Sequence, residues 1–403
     1  RFSITYPNQE LPVARPFQTT PAYGIWDQQN AVFGAGYGLE HVNYFAPEGE
    51  KRYETPSYRR SNAFEAVGAE CRAVRNAVGI NEIHNFGKYE VTGPGAEDWL
   101  NYLLANKMPQ PGRMALSPLL APSGVIIGDL TISCLAPETY QVVGSYSAQD
   151  YHMRWFLQHL PDEGVTLRNV SLDRIGFQIA GPSARELLSR TTRADVSNEA
   201  FPFLHTRQME VGLSPATVCR VSYTGDLGYE IYVPAANQRA LYSTLADAGQ
   251  DLGLKPFGMR AMMSLRLEKS FGSWLREYKP DYTPVETGLD RFVRYQKPDF
   301  IGRDAAIAAR DAGASRRLVT MMVDADNADV QGDEPIFHKG DVVGFVTSGG
   351  YAHASEKSVA IGFVPVEMIE EGAAFEIEIL GDMRPAVINN TPLFDPDGAR
   401  MRG

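Results

Sequence analysis

The chain has 403 residues, of which 44% are hydrophobic and 22% charged, and its formal net charge is -11. This length and composition are typical of a folded protein with two or three domains. The negative charge disfavours nucleic acid and anionic membrane surfaces as partners. No run of about 18 apolar residues occurs, so we expect no membrane span.

Cys71, Cys134 and Cys219 are far apart and form no C-x-x-C pair. This pattern favours a reducing compartment, which is the cytoplasm, or the mitochondrial matrix in a eukaryote. The histidines match no metal-binding spacing, so we expect no metal. Because the chain begins with Arg1 and has no signal-peptide hydrophobic region, we expect a processed chain or a piece of a longer protein.

Residues 1–55 are rich in proline, glycine and aromatic residues and have little periodicity, so we expect an irregular segment lying on a larger body. The glycine-rich stretch 34–38 does not match the dinucleotide-binding fingerprint. A helix is predicted next, since apolar residues recur at three- and four-residue spacing from Phe64 to Val78, with Gly79 as its end.

A strand, a Gly-Pro turn and a helix are predicted twice, over 88–100 and again over 176–188. The repetition indicates two similar α+β halves, with coincidence as the alternative because Gly-Pro is a common turn. The other elements predicted in this part are strands over 125–133 and 140–143 and helices over 237–248 and 258–269.

From about residue 300 the pattern changes. A helix over 303–310 is followed by short alternating strands with turn residues between them, over 318–323, 342–347, 359–364 and 375–380. This pattern predicts a small all-β domain, a barrel, over residues 300–403.

Two acidic residues interrupt apolar strands. Asp129 follows the apolar run 125–128, and Glu230 lies in the stretch 221–231, which is predicted to form a strand, a tight glycine turn and a second strand. A half-buried carboxylate is costly unless it is paired or hydrogen-bonded. Asp129 could equally be a strand-end residue bonded to backbone. In a water-poor cleft, such carboxylates suit a flat heterocycle with adjacent N–H donors.

The helix over 258–269 carries Arg260 and Arg266, which are six residues apart and cannot share one face. Either both are solvated or paired with nearby acids, or one points into a cleft as a polar clamp. The segment 274–286 mixes aromatic, charged and turn residues, which suits either a cleft-lining loop or a plain surface loop.

These stretches, in this order, resemble the glycine cleavage T-protein (aminomethyltransferase) family over residues 60–400. The segment 223–231 is similar to the Y-T-G-x-x-G-[FY]-E-I signature of that family. Further matching stretches are 75–80, 88–96, 128–130, 260–268, 283–286 and 346–350. Residues 20–45 resemble the segment before the folate-binding region of dimethylglycine and sarcosine dehydrogenases and oxidases. The chain therefore looks like the folate-binding C-terminal half of such an enzyme.

The resemblance implies an α+β fold of three domains in a ring around a central folate cleft. After residues 1–55, which resemble the linker behind a flavin domain, two α+β domains are expected over 56–299 and the barrel over 300–403. Asp129 is implied to be the catalytic acid beside the reacting folate nitrogens. The residues implied to contact folate are Tyr223 and Glu230 at the pterin, Arg260 in the cleft, and Tyr278 and Trp274 in the loop.

The implied activity is tetrahydrofolate-dependent one-carbon transfer. Carbon from demethylation of an N-methyl amine of the dimethylglycine or sarcosine type would be captured as 5,10-methylene-tetrahydrofolate, with FAD only on a flavoprotein partner or a missing domain. One alternative is methyl transfer from a sulfonium, methoxy or betaine donor to give 5-methyl-tetrahydrofolate, and another is a non-catalytic folate-binding subunit. Gly128 in place of a second acid and Asp226-Leu227 in place of Glu-Asp argue against a lipoyl-bound aminomethyl group.

Overall fold

The structure is a computed structural model and describes residues 5–403. The helices are α1 (Tyr23–Gln28), α2 (Phe64–Asn76), α3 (Ala96–Leu103), α4 (Gln149–Gln158), α5 (Ala184–Thr191), α6 (Gln238–Gly249), α7 (Met259–Leu267), α8 (Pro284–Thr287), α9 (Arg303–Ala312) and α10 (Ala399–Arg402). The strands are β1 (Ala31–Gly36), β2 (Leu39–Phe45), β3 (Val78–Glu82), β4 (Phe86–Thr92), β5 (Met114–Leu120), β6 (Ile126–Ala136), β7 (Thr139–Ser145), β8 (Thr166–Asn169), β9 (Arg174–Ala180), β10 (Thr206–Val211), β11 (Ser214–Cys219), β12 (Gly228–Pro234), β13 (Leu254–Pro256), β14 (Arg316–Val323), β15 (Pro335–His338), β16 (Asp341–Ala352), β17 (Lys357–Pro365), β18 (Ala374–Ile379) and β19 (Asp382–Ile388).

The N-terminal region has regular structure that the sequence did not predict. Helix α1 and the antiparallel pair β1–β2 lie within the segment expected to be irregular. These elements are six or seven residues long, too short to show a clear hydrophobic period. Trp26 of α1 is buried, and its Nε1 donates a 3.0 Å hydrogen bond to Oε2 of Glu82. This contact fixes the N-terminal region on the second of the two sheets described next.

The first α+β unit contains an antiparallel sheet with the strand order β5-β6-β7-β4-β8. One face of this sheet packs against α3 and α4, since alternate residues of each strand are apolar. This core contains Tyr89, Val91, Leu100, Leu130, Ile132, Val142 and Phe156. The opposite face carries the intervening residues, among them Lys88 on β4 and Asp129 on β6.

The second unit contains a six-stranded sheet with the order β10-β11-β12-β9-β3-β13. Helices α5 and α6 cover one face. The core there contains Val78, Ile80, Phe177, Ile179, Leu187, Tyr229, Ile231 and Leu241. The opposite face carries Asn81, Gln178 and Glu230, which are direct register partners across β3, β9 and β12. Each sheet thus has one apolar face under helices and one face with polar residues.

Both predicted strand–Gly-Pro–helix units are present, since β4 leads to α3 and β9 leads to α5. Gly93 and Gly181 adopt φ values of 120° and 128°, in the region that favours glycine. A Cβ at these positions would lie 2.4 Å and 2.3 Å from the carbonyl oxygens of Gly164 and Val74. Glycine is therefore required twice for the same turn.

Two predicted element boundaries were wrong. Helix α2 ends at Asn76, and Val78 belongs to β3, where pairing with β9 and β13 overrides the apolar spacing that suggested helix. Strand β11 ends at Cys219, so the first predicted strand of 221–231 is a connection instead. In this connection Leu227 N donates a 2.9 Å hydrogen bond to Oδ1 of Asp226, a local side-chain bond that competes with strand pairing.

The C-terminal unit is a closed barrel with the strand order β14-β17-β16-β15-β18-β19, in which β19 pairs back onto β14. Its interior contains Met321, Val323, Ile336, Val346, Ala360, Val364, Phe375, Ile377 and Ile388. This confirms the barrel that the alternating strands predicted.

Glu268, which follows α7, ties the barrel to the second unit. Its Oε2 accepts a 2.7 Å hydrogen bond from buried Arg75 of α2, and its Oε1 accepts backbone N–H groups of Ala354 and Ser355 at 2.9 and 3.0 Å. Glu268 is completely buried, so this pairing satisfies a charge that would otherwise be costly. Across residues 5–403, no helix combines the length and apolar character needed to cross a membrane.

Candidate functional site

The polar faces of the two sheets meet, and this junction brings the two predicted acids onto facing surfaces. On β6, Asp129, Thr131 and Ser133 alternate with core residues and share one face. The hydroxyl of Ser133 lies 3.8 Å from the thiol of Cys219 on β11. Cys219 is the register partner of Glu230, so their side chains lie on the same face of the second sheet. Asp129 is four residues along β6 from Ser133, about 13 Å at the usual strand rise.

Glu230 is half-buried on β12. Its Oε2 accepts a 2.7 Å hydrogen bond from the hydroxyl of Tyr232, while Oε1 accepts none from residues 5–403. Burial raises the pKa of this carboxyl to about 7, although the Tyr232 hydrogen bond and the charge of Lys88 oppose the shift. The carboxyl therefore has one fixed oxygen and one that is available to a donor.

Lys88 reaches the same place from the first sheet and is completely buried. Its Nζ donates hydrogen bonds of 3.3 and 2.8 Å to the carbonyls of His84 and Phe86. Burial lowers its pKa to about 7, against the opposing effect of the Glu230 and Glu82 carboxylates. Sequence reasoning missed Lys88 because a lysine within a predicted strand is ordinarily assigned to the solvent side. Tyr89 and Val91 indicate which face of the strand lies in the core, but they do not indicate whether the face that carries Lys88 is buried.

Asp129 is half-buried on β6, and its carboxylate accepts no hydrogen bond from any other residue in 5–403. Burial raises its pKa to about 7. The preceding residue, Gly128, explains the absence of a second acid. A Cβ there would lie 2.8 Å from Nε2 of His152, and that imidazole is held by a 3.0 Å contact with the Ile127 carbonyl. The space that a second side chain would need is occupied by His152.

Tyr223 and Tyr278 approach Asp129 from two loops that meet at Gly272. The Tyr223 hydroxyl donates a 2.7 Å hydrogen bond to the Gly272 carbonyl. A Cβ at Gly272 would lie 2.5 Å from Cζ of Tyr278, so only glycine permits this packing. Burial raises the pKa of both tyrosines, and the Asp129 carboxylate lies close enough to raise each one further. Asp129, Tyr223 and Tyr278 therefore form one group.

A buried ion pair stabilises the segment that carries Tyr278. Arg266 of α7 lies 3.3 Å from Oε2 of Glu277 and donates a 2.7 Å hydrogen bond to the Ser348 hydroxyl on β16. Glu277 also accepts a 2.7 Å hydrogen bond from the Thr347 hydroxyl. Sequence reasoning left Arg266 open and missed Glu277. The barrel residues that satisfy this pair are about 70 positions away in the chain, so no local signal exists.

Arg260, the arginine implied for the cleft, is the second residue of α7, and its side chain is 36% exposed. It donates a 3.1 Å hydrogen bond to Glu54, and its Nε is buried without a partner in residues 5–403. Partial burial and the charge of Arg266 lower the pKa of Arg276, and Arg260 contributes to the same effect. We refer to Arg260 and Arg276, whose charges act on one another, as the positive rim.

Trp274 packs against α4, with ring centroids 5.7 Å from His152 and 6.5 Å from Tyr151. It pairs with Tyr278 through an isolated β-bridge. Within residues 5–403 no cluster of His, Cys, Asp and Glu is arranged to hold a metal ion, and the three cysteines are buried and free.

Comparison with known protein families identifies the family that has this architecture. The GCVT N-terminal domain matches residues 22–297, and the glycine cleavage T-protein C-terminal barrel domain matches residues 316–395. The chain belongs to the glycine cleavage T-protein family. Members of this family are folate-dependent aminomethyl- and methyltransferases, so the resemblance found in the sequence is confirmed.

Individual T-protein relatives agree with this assignment. Mitochondrial dimethylglycine dehydrogenase of Homo sapiens is 36% identical over 405 residues, which are 99% of this chain and 46% of that protein. Aminomethyltransferase of Desulforamulus reducens is 28% identical over 356 residues, which are 87% of this chain and 96% of that protein. The chain spans about half the length of the dehydrogenases that it matches.

Among solved structures, glycine cleavage system aminomethyltransferase T from Bartonella henselae superposes with a TM-score of 0.82 at 23% identity. The match covers 94% of this chain and 99% of that one. The predicted α+β fold with a small C-terminal barrel is therefore confirmed.

Proposed function

We propose that this chain is a tetrahydrofolate-dependent one-carbon transferase, which captures the carbon from demethylation of an N-methyl amine as 5,10-methylene-tetrahydrofolate. The observation that carries the proposal is the Asp129 carboxyl, which is half-buried, is bonded to no other residue in 5–403, and lies close enough to Tyr223 and Tyr278 to raise the pKa of both. A buried, unpaired acid in a cleft is a candidate for chemistry because its desolvation is compensated by nothing else in the protein.

The donor and acceptor pattern of the junction suits a reduced pterin. Glu230 presents a carboxylate held on one side by Tyr232, and a 2-amino-4-oxo-pyrimidine edge offers two parallel N–H donors to such a group. The fixed orientation of the carboxyl lowers the entropy lost on binding. Glu230 is therefore assigned to binding rather than to the chemical step.

Asp129 is assigned to the chemical step. Bound folate would supply the nitrogens that accept the carbon. In this proposal the Asp129 carboxylate would orient these nitrogens and offset positive charge as the new carbon–nitrogen bond forms. Preorganised charge of this kind contributes about 3 kcal/mol per group in other enzymes. Tyr223 and Tyr278 cover the site and limit the access of water.

The positive rim suits the other end of folate. The Nε of Arg260 has no hydrogen-bond partner within residues 5–403, and the charge of Arg260 acts on Arg276. Guanidinium groups at the mouth of a cleft bind carboxylates well because their donors match the carboxylate fork. We assign Arg260 and Arg276 to the carboxylates of the folate glutamate tail. Trp274, which pairs with Tyr278 through a β-bridge, is assigned to holding Tyr278 in position.

The proposed donor side is a flavoprotein that oxidises the N-methyl amine, with FAD on that partner or on a part of the protein outside this chain. Dimethylglycine dehydrogenase, which this chain matches over about half its length, supports the amine as donor. The one-carbon unit would arrive at the oxidation level of formaldehyde. A reducing compartment is consistent with the free cysteines.

The test measures carbon transfer from formaldehyde to tetrahydrofolate by the purified chain, against the spontaneous reaction. We expect 5,10-methylene-tetrahydrofolate to form faster than the background, and Asp129→Asn to lose the acceleration. Formation of 5-methyl-tetrahydrofolate from a sulfonium, methoxy or betaine donor would overturn the amine assignment. Folate binding without acceleration would indicate a non-catalytic folate-binding subunit. A pull-down from the native source, with the absorbance spectrum of the accompanying protein, tests the flavoprotein partner.

A further inference from the structure

A row of polar side chains crosses the second sheet beside Glu230. Asn81, Gln178 and Glu230 occupy adjacent strands and are direct register partners, so they share the face that meets the first sheet. Asn81 is 5% exposed and Gln178 is 3% exposed. Buried amides on a sheet face normally have their hydrogen bonds satisfied.

The hydrogen bonds of the row fix which way each amide points. Asn81 Nδ2 donates a 2.6 Å hydrogen bond to the Phe257 carbonyl, which can only accept. Asn81 Oδ1 must therefore face Gln178, and it accepts a 3.2 Å hydrogen bond from Nε2 of Gln178. This leaves Oε1 of Gln178 on the side away from Asn81.

Oε1 of Gln178 is buried and has no hydrogen-bond partner within residues 5–403. A flip of the amide would not relieve it, because Asn81 Oδ1 would then face another acceptor. An unsatisfied buried acceptor costs free energy unless a donor reaches it. The neighbour on the next strand, Glu230, is itself an acceptor and cannot be that donor while ionised.

We propose that Gln178 is a further binding residue of the pterin pocket, whose Oε1 accepts a hydrogen from the 2-amino group of the 2-amino-4-oxo-pyrimidine ring. This inference rests on the proposed function. A primary amino group has two hydrogens. Glu230 takes one of them together with the ring N3–H, and the second points sideways along the sheet. Gln178 lies one strand away on that side, where Cβ atoms are about 5 Å apart.

The experiment measures binding of two ligands by calorimetry. One is tetrahydrofolate and the other is its 2-desamino-2-methyl analogue, which lacks the amino group. For Gln178→Met we expect about tenfold weaker binding of tetrahydrofolate, since the amino hydrogen is left without an acceptor. The same substitution should leave binding of the analogue unchanged. Such coupling between a side chain and one ligand group is not produced by a merely structural role.

Gln141→Met is the matched control, because Gln141 of β7 is also a buried glutamine with an unpartnered amide atom, Nε2. It should leave binding of both ligands unchanged. If Gln178→Met weakens both ligands equally, or weakens neither, the inference is wrong. Gln178→Asn, which withdraws the oxygen while keeping the amide, should give the same selective loss and serves if the methionine variant does not fold.

These outcomes are separate from a failure of the proposed function. If the unaltered chain binds no tetrahydrofolate, the proposed function fails and the inference fails with it. If the unaltered chain binds tetrahydrofolate and accelerates carbon transfer while Gln178→Met binds both ligands normally, only the assignment of Gln178 is overturned.

Discussion

The hydroxyl of Tyr232 donates a 2.7 Å hydrogen bond to Oε2 of Glu230 from the same face of the same strand. The bond holds the carboxyl against free rotation and occupies one oxygen. The other oxygen accepts no hydrogen bond within residues 5–403 and remains available to a donor. A carboxyl held in this way binds a planar donor edge with less loss of side-chain entropy than a mobile one.

Glu230→Gln should weaken tetrahydrofolate binding about thirtyfold, because a charge-assisted hydrogen-bond pair is replaced by one with a mismatched donor. The rate at saturating folate should change less than about threefold, since Glu230 is remote from the bond that forms. Calorimetry and saturation kinetics together give the two numbers. Glu378→Gln, on the exposed face of β18, is the control. Equal losses in affinity and in saturated rate would contradict the binding role.

Asp129→Asn should lower the saturated rate much more than the affinity for tetrahydrofolate. We expect the saturated rate to fall about 100- to 1,000-fold, because a preorganised charge beside the reacting nitrogens is removed. The dissociation constant for tetrahydrofolate should change only a few fold. Single-turnover transfer and equilibrium binding test this division, with Asp341→Asn on the exposed start of β16 as the control. A variant that binds weakly but reacts at the normal rate once saturated would contradict it.

Folate binding should rise with pH through about 7, because burial raises the Glu230 pKa to about 7 and the proposed acceptor is its ionised form. The charges that face Glu230 from the packed elements are Lys88 and, near Lys88, Glu82. Lys88→Met removes the cation that favours ionised Glu230. It should therefore raise the Glu230 pKa further and move the binding midpoint to higher pH by roughly half a unit.

This shift is measured by titrating the affinity for tetrahydrofolate between about pH 5 and about pH 9, which spans the midpoint by about two units on each side. Lys255→Met, on exposed β13, should leave the midpoint unchanged. A binding midpoint that moves to lower pH in Lys88→Met would contradict this expectation. It would show that Lys88 does not stabilise the carboxylate.

Arg266→Met should destabilise the fold by about 3–5 kcal/mol, because it leaves the Glu277 carboxylate buried without its cation. Chemical denaturation measures the loss. Arg190→Met gives the comparison, since Arg190 pairs with Glu186 and Asp251 at the surface, where such pairs contribute about 1 kcal/mol or less. Similar losses in the two variants would mean that the Arg266 pair is not the buried support described above.

Most of the secondary structure could be predicted from local pattern. Alternation predicted the barrel strands, and the Gly-Pro pairs that begin at Gly93 and Gly181 marked the two turns from strand to helix. Asp129 and Glu230 were recognisable because each interrupts an apolar strand. That they lie on facing sheets was implied by the family resemblance, but it could not be derived from local pattern, since it depends on two sheets packing face to face.

The residues that the sequence did not reveal act through distant partners. Glu277 is satisfied by Thr347 and Ser348 of the barrel, and Lys88 faces Glu230 from another sheet. The choice between Arg260 and Arg266 was open for the same reason. Which side of α7 is buried depends on its packing against the barrel, and the spacing of residues within the helix does not predict it.

Through Glu277 the barrel can affect the pocket, although the barrel residues are distant from Glu277 in the chain. Because Thr347 and Ser348 hold Glu277, which immediately precedes Tyr278, we expect a shift of β16 to move Tyr278 as well. Exchanging barrels between members of the family should therefore alter ligand preference even though the barrel contributes no acid to the site. Selection for a new substrate can act on this remote module while the two acids stay unchanged.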